Sequence, residues 1–292
     1  MTMTESVNGF ELTAPAKINV FLEILGKRPD GYHELETVML RTDFSDRLRF
    51  EHSDRAEVEL TCTDPSLPTD GRNLIVRAAE LLRRDCDVKA GCRIHLEKHV
   101  PYGAGLGGGS SDAATAIMGL DRLWGLGLSR KDQAHFGAQI GSDVAFFFHG
   151  PAALCRGRGE IVTGLSLTES FHFVLFCPAV HCGTSEIFSR VRLTGALMDA
   201  APAISALANG SPKALAAGLF NRLQEATESL KPELRAIPRM LREIEPALLG
   251  VLMTGSGSAF FGLAESRAAA QAAADQLTRP GHGIVRVLTC GP

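Results

Sequence analysis

From Lys17 to Leu25 the chain alternates, with Ile18, Val20, Leu22 and Ile24 set against Asn19, Phe21 and Glu23. A period of two predicts a strand, and the strand stops at Arg28-Pro29-Asp30-Gly31, a turn signal. Further strand-like runs follow at Leu35 to Arg41, Arg47 to Phe50, Ala56 to Cys62 and Cys92 to Lys98, with a helical stretch from Asn73 to Cys86 between them. Ala113, Ile117, Leu120 and Trp124 share one helical face over Asp112 to Trp124. Ser129 and Asp132 have the spacing of a capping box and open a helix to about Ile140, closed by Gly141. Beyond Gly150 the pattern predicts strands at Ala152 to Arg158 and Phe171 to Cys177, with Leu165 to Ser170 as the boundary between two domains. The remainder reads as a helix (Thr184 to Arg192), a soft Ala/Pro stretch (Ala200 to Pro212), a helix (Pro232 to Ile244), strands at Gly250 to Met253 and Ala259 to Leu263 about a tight turn, a helix (Ser266 to Leu277) and a strand (Ile284 to Leu288). The mixture predicts an α+β fold, its C-terminal part packing helices on one antiparallel sheet.

Composition narrows the function classes. With 292 residues the chain has room for two modest domains. Thirty Lys+Arg against 33 Asp+Glu leave a net charge of −3, too weak a field to make nucleic acid or an acidic membrane the default partner. No apolar run reaches the roughly 18 residues of a bilayer span. Met1 to Phe10 has neither a basic patch nor an apolar stretch behind it, so the cytoplasm is the expected compartment. The seven cysteines form no Cys-x-x-Cys pair, which favours reduced thiols over a zinc site; no metal ligand set is expected.

Glycine is the excess that carries chemistry. Gly103, Gly105, Gly107, Gly108 and Gly109 fall within seven residues and feed Ser110-Ser111 and a helix. Backbone N–H groups beside a helix N-terminus make an anion site, and the two hydroxyls add donors for phosphate oxygens. A Walker loop is excluded, because Gly109 stands at its lysine position. Gly103-x-Gly105-x-x-Gly108 satisfies the dinucleotide fingerprint, but the acidic residue that fingerprint needs on a following strand is absent: Asp121 falls within a predicted helix. An NAD-dependent enzyme is therefore a poor runner-up.

Pro101-x-Gly103-x-Gly105-Leu106-Gly107-Gly108-Gly109-Ser110-Ser111 resembles the nucleotide loop of the GHMP kinases. Ala14-Pro15-Ala16-Lys17-Ile18-Asn19 and Met253-Thr254-Gly255-Ser256-Gly257-Ser258-Ala259 are similar to two further motifs of that superfamily, in the same order. The resemblance implies a two-domain fold, with an N-terminal α/β ATP-binding domain (1–165) and a C-terminal ferredoxin-like domain (166–292). It also implies ATP with Mg²⁺ as phosphoryl donor, bound by Pro101, Gly103, Gly105, Leu106, Gly107, Gly108, Gly109, Ser110 and Ser111.

Lys17 to Leu22 and Lys27 to Leu35 are similar in particular to the branch of the superfamily that phosphorylates a cytidine diphosphate-linked methylerythritol. That likeness implies Lys17 and Asp143 as the catalytic pair: Asp143 accepts the proton of the attacking alcohol, and Lys17 keeps Asp143 ionised and offsets charge at the reacting oxygen. Tyr32 and His33 become base-recognition groups, one stacking and one hydrogen-bonding. Phe188 matches a second stacking position, although it reads equally as a core helix residue. Asn19 shares the Lys17 face of its strand and either bonds substrate or orients that lysine. Thr184 either faces the phosphates or caps a helix.

The chain departs from the branch at Ala145, where proline is usual after the aspartate, and across Ala179-Val180-His181-Cys182. Other readings stay open: a GHMP kinase for homoserine or a mevalonate derivative, or a non-catalytic ATP-binding relative. The expected partner is a small molecule, with no nucleic acid or membrane, and the protein a monomer or weak homodimer.

Overall fold

The computed structural model describes residues 2–6, 9–193, 195–278 and 283–292. In chain order, β1 (Met3–Ser6) precedes two long strands, β2 (Gly9–Lys27) and β3 (His33–Ser53), then β4 (Val58–Cys62), α1 (Leu74–Asp85) and β5 (Gly91–Glu97). Next come α2 (Gly108–Trp124), α3 (Arg130–Ile140), a 3-10 turn (Ala145–Phe148), β6 (Ala152–Gly157), β7 (Ile161–Leu165) and β8 (Phe171–Cys177). The rest comprises α4 (Thr184–Arg190), α5 (Ala201–Ala208), α6 (Pro212–Ala217), β9 (Phe220–Asn221), α7 (Leu223–Leu230), a 3-10 turn (Pro232–Ala236), α8 (Ile237–Arg242), β10 (Gly250–Met253), β11 (Phe260–Ala264), α9 (Arg267–Leu277) and β12 (Ile284–Cys290).

The chain divides into two units interleaved in sequence. Unit one takes the residues up to Ala16, Ser45–Val100 and Gly107–Phe148; unit two takes Lys17–Phe44, Pro101–Leu106 and the chain from His149. Both long strands pass from one unit to the other, so these units differ from the contiguous stretches 1–165 and 166–292; residue 165 ends β7 inside unit two.

In unit one, β1 forms a hairpin with the start of β2, from Met3 opposite Leu12 to Ser6 opposite Gly9. The second half of β3 pairs antiparallel with β5, Arg47 opposite Glu97 through Ser53 opposite Gly91, and β4 lies parallel to β5. Leu48, Phe50, Ile94 and Leu96 from the strands and Ile75, Leu82, Ala113, Ile117 and Leu120 from the helices are buried to 1% exposure or less. The predicted capping box is present in both directions at Ser129 and Asp132.

In unit two, the first half of β3 pairs with β6, Leu35 opposite Gly157 through Leu40 opposite Ala152; β6 pairs with β7, and β9 adds parallel to β2. A second sheet has the order β10-β11-β8-β12, antiparallel throughout. Its strands enter the chain as β8, helices, β10, β11, α9, β12, the split βαβ arrangement of ferredoxin-like folds. Phe173 and Phe261 meet edge to face at 5.3 Å within it.

Several expected boundaries shift. The runs at 35–41 and 47–50 are one strand, because the polar residues between them find partners: Asp43 Oδ1 accepts the Thr289 N–H at 2.8 Å and the Asp46 carboxylate is buried against Lys98. Helix α2 begins at Gly108 rather than Asp112. The soft stretch after Ala200 holds α5 and α6, started by Pro202 in one first turn and by Ser211 and Pro212 in the other. The helix expected over 232–244 is a 3-10 turn followed by α8, while β7 and α7 had no sequence counterpart. All seven cysteines are free thiols and five are buried; burial pushes Cys92 and Cys177 up to about 12.

Candidate active site

Three sequence motifs meet in unit two. Lys17, on β2, is 3% exposed, and its ammonium donates to Asn19 Oδ1 at 2.6 Å and to the Gly105 carbonyl at 2.8 Å. The Lys17 N–H reaches the Leu106 carbonyl at 2.9 Å, and the Ala259 N–H reaches the Ala104 carbonyl at 3.1 Å. The strand at Lys17–Asn19, the 101–106 segment and the 253–259 turn are thus stitched together by backbone as well as side chain. Gly105 has φ +77°, and a Cβ there would lie 2.1 Å from the Thr254 carbonyl oxygen, so no other residue fits this approach. Asn19 is bonded at both ends of its amide, donating to Thr37 Oγ1 at 2.8 Å and accepting from Lys17 and, at 3.3 Å, from Thr254 Oγ1. Both ends of the Asn19 amide are thus engaged within the protein, the oxygen by Lys17.

Asn221 escapes sequence reasoning, and Thr254 and Ser256 were named there only as members of the 253–259 motif, without a role of their own. The Asn221 amide donates to the Met253 and Gly255 carbonyls at 2.7 and 2.8 Å and holds the 253–259 turn. Ser256 Oγ lies 3.1 Å from Thr184 Oγ1. Thr184 is the first residue of α4 and Gly183 is the cap, so the hydroxyl of Thr184 serves this polar contact and not the helix end. The advance signal for Thr254 and Ser256 was the 253–259 motif itself, whereas Asn221 lies outside every motif that the sequence offered.

An aromatic cluster forms elsewhere in the same unit. The His33 and Phe188 rings lie 5.3 Å apart at an interplanar angle of 44°. Tyr32 is 55% exposed, with the Arg158 guanidinium 4.9 Å from its ring centroid. Its backbone is fixed by the turn before it: the Tyr32 N–H donates to Asp30 Oδ1 at 3.1 Å, and the Arg28 N–H donates to the Tyr32 carbonyl at 2.8 Å. Burial, aided by the charge of Lys27, holds the His33 imidazole below its ordinary pKa, so it is neutral at neutral pH and offers one donor and one acceptor. Phe188 is half-buried at the edge of the unit's core.

Unit one holds the rest of the glycine run. Gly107 caps α2 in the left-handed conformation, and the first intrahelical bond runs from the Ser111 N–H to its carbonyl at 2.9 Å. Gly108, Gly109 and Ser110 therefore form the turn whose N–H groups have no partner within the helix. Ser111 Oγ is buried with no hydrogen-bond partner among the described residues. Asp143 lies in the same unit, on the turn that closes with Val144 N–H to the Gly141 carbonyl at 3.1 Å, just before the 3-10 turn that Ala145 opens. Among the described residues no group of three or more His, Cys, Asp or Glu could hold a metal ion. No helix among them is long and apolar enough to cross a membrane.

The N-terminal domain of the GHMP kinases matches residues 73–151 and the C-terminal domain of the same family matches 203–283. This chain belongs to the GHMP kinases. It is 40% identical over 282 residues to a 4-diphosphocytidyl-2-C-methyl-D-erythritol kinase of a Synechococcus strain, covering 92% of this GHMP kinase and 89% of the relative. A relative with the same name from Listeria monocytogenes is 41% identical over 254 residues, 86% of each chain. Among solved structures, a 4-(cytidine 5'-diphospho)-2C-methyl-D-erythritol kinase superposes with a TM-score of 0.81 at 36% identity, covering 97% of this GHMP kinase and 99% of that chain. A homoserine kinase from Cytophaga hutchinsonii has a TM-score of 0.75 at 18% identity, over 99% and 96% of the two chains, which is a likeness of fold alone.

Proposed function

We propose that this GHMP kinase transfers the γ-phosphoryl group of ATP to the C2 hydroxyl of 4-diphosphocytidyl-2-C-methyl-D-erythritol, giving the 2-phosphate and ADP in the non-mevalonate route to isopentenyl diphosphate. The observation that carries the choice of acceptor is the His33–Phe188 ring pair beside Tyr32. Flat rings, together with a neutral imidazole carrying one donor and one acceptor, suit a cytosine. An acceptor as small as homoserine or mevalonate has no use for them.

Phosphoryl transfer asks the protein for positioning and charge neutralisation. The first turn of α2 and the buried, unpartnered Ser111 Oγ fit the phosphates of ATP, with Pro101, Gly103, Gly105, Leu106, Gly107, Gly108, Gly109 and Ser110 completing the binding run. Magnesium, when bound with ATP, would neutralise phosphate charge. Asp143 takes the proton of the C2 hydroxyl as the oxygen attacks phosphorus. Lys17, held at a fixed point by Asn19 and Gly105, offsets negative charge where it develops. Tyr32, His33 and Phe188 hold the base, and Thr184 lies toward the phosphates of the acceptor.

The test is ADP release by the purified protein with magnesium-ATP and the cytidyl substrate, run beside mevalonate and homoserine and beside Asp143→Ala. Turnover with the cytidyl substrate alone, lost in the variant, is the expected result. Turnover with a rival acceptor overturns the substrate assignment, and ATP binding without turnover of any acceptor makes the protein a non-catalytic relative.

A further inference from the structure

Unit one buries a cluster of three charges that plays no part in the chemistry above. Lys98, just past the end of β5, points its ammonium at Asp46 Oδ2 on β3 (2.5 Å) and at Asp112 Oδ2 on α2 (2.9 Å), with side-chain exposures of 5%, 0% and 5%. The other Asp46 oxygen accepts the N–H groups of His99 and Val100 at 2.5 and 2.8 Å. Lys98 and Asp112 bracket the glycine-rich segment 99–111, so one ion pair closes that segment at its base.

We propose that Lys98 is a positioning residue for the nucleotide loop: clamped between Asp46 and Asp112, it ties the two ends of residues 99–111 together and fixes the first turn of α2 for the ATP phosphates. The proposal rests on the reading of that loop as the ATP site. Three observations support it. A run with five glycines between 103 and 109 has high conformational entropy when free, and holding its ends removes part of that cost before ATP arrives. The helix start is seated on the ammonium itself, since a Cβ at Gly108 would lie 2.9 Å from Lys98 Nζ and 3.1 Å from Val100 Cγ1. A buried ion cluster adds little to stability compared with apolar residues of the same volume, so its value is sought in the geometry it imposes.

The charge balance also suits an anion site. Burial pushes the Asp112 carboxyl well above the usual carboxylate range; Lys98 pulls it down and Asp46 pushes it further up. Cys62 and Asp64, at and just past the end of β4, complete the titratable groups that sense the cluster. Asp112 is thereby the weaker of the two acids facing Lys98, and the helix N-terminus keeps its attraction for phosphate.

The experiment compares Lys98→Met, Asp112→Asn and the double variant with the wild type by melting temperature, calorimetric affinity for magnesium-ATP alone, and the KM values of both substrates. Lys98→Met is expected to weaken magnesium-ATP affinity about tenfold or more and to raise KM for ATP in step, with a smaller effect on KM for the acceptor. Asp112→Asn still accepts the Lys98 hydrogen bond and is expected to stay within about threefold of wild type. The double variant recovers melting temperature, because one carboxylate facing a lost cation is gone, yet binds magnesium-ATP as weakly as Lys98→Met. Where the single lysine variant does not fold, the double variant decides. Affinity that recovers together with melting temperature, or that is undiminished in a folded Lys98 variant, overturns the proposal. A wild-type protein that binds no magnesium-ATP overturns the reading of the loop and, with it, this inference.

Discussion

Asn19 Oδ1 sits 2.6 Å from Lys17 Nζ, two residues along the same strand, with both side chains at 3% exposure or less. Alternation puts the two on one face, and the charge-assisted bond then fixes where the ammonium points. Thr37 and Thr254 lock the amide in turn, so the lysine is the end of a buried polar chain that reaches from Phe21 O through Thr37 to Asn19.

Asn19→Leu breaks that chain at its centre. Lys17 and Thr37 each lose a partner, and a displaced catalytic group costs up to about 100-fold. We expect kcat to fall by about 10- to 100-fold with KM for the cytidyl substrate changed far less, and stability to fall by about 1–3 kcal/mol from the buried groups left unpaired. Steady-state kinetics and denaturant unfolding measure both. A rise confined to KM for the acceptor would instead make Asn19 a substrate contact.

Gly105→Ala tests the approach of the 101–106 segment to the 253–259 turn. The added methyl would stand 2.1 Å from a backbone oxygen, at a φ of +77° that disfavours any side chain. Backbone cannot move aside as a flexible side chain can, so the expected cost exceeds about 1–3 kcal/mol. Melting temperature should drop and the Lys17-to-Gly105 bond should be lost, which kcat reports. Wild-type melting and turnover in this variant would mean that the segment is free of the turn.

Much of this was legible in the sequence for a physical reason: local signals report local structure. The alternation around Lys17, the Ser129–Asp132 capping box and the glycine run each specify their own element, and the strand over Phe171–Cys177 falls where its apolar run begins and ends. What was illegible depends on partners distant in sequence. The strand through Asp43 and Asp46 survives because Thr289 and Lys98 satisfy its carboxylates. Strand β7, mostly exposed, exists through pairing with β6. At the candidate site, motifs pointed to Lys17, Asn19, the glycines and the 253–259 turn, but the contacts of Thr254, Asn221 and the Lys98 cluster are made with partners distant in sequence.

His33 predicts a pH dependence. Its folded pKa lies below its ordinary 6.5 because burial, helped by Lys27, disfavours the cation. The unfolded chain therefore takes up the proton first, and stability contributed by the neutral ring is present above about 6.5 and lost as pH falls through the folded value. Base recognition follows the same sign: KM for the cytidyl substrate should stay flat from neutral pH to below 6.5 and then rise as the ring loses its acceptor. His33→Gln, uncharged throughout, should remove that acid limb while raising KM at neutral pH. A limb unchanged in the variant would assign it to another group.

The last prediction concerns a second buried ion pair, within unit two. Glu23 is fully buried on β2, and its carboxylate receives the Arg222 guanidinium at 2.7 and 2.6 Å together with the N–H groups of Ile24 and Met198 at 2.8 and 2.9 Å. Burial raises its pKa, but those donors outweigh burial and hold it below its ordinary 4.5. The folded value is thus depressed, so its stabilisation is present above about 4.5 and disappears as pH falls through the folded pKa. Because Arg222 also donates to the Ala196 carbonyl at 3.0 Å, this pair anchors the chain around 196–198 to β2. Arg222→Met leaves a buried carboxylate without its cation and should cost about 3–5 kcal/mol. Adding Glu23→Leu removes the orphaned charge and should return a large part of that loss, giving a coupling energy of more than about 1 kcal/mol in a double-mutant cycle. Simple additivity of the two changes would mean that the pair contributes as two independent side chains, and that the Met198 and Ile24 N–H groups alone hold the carboxylate.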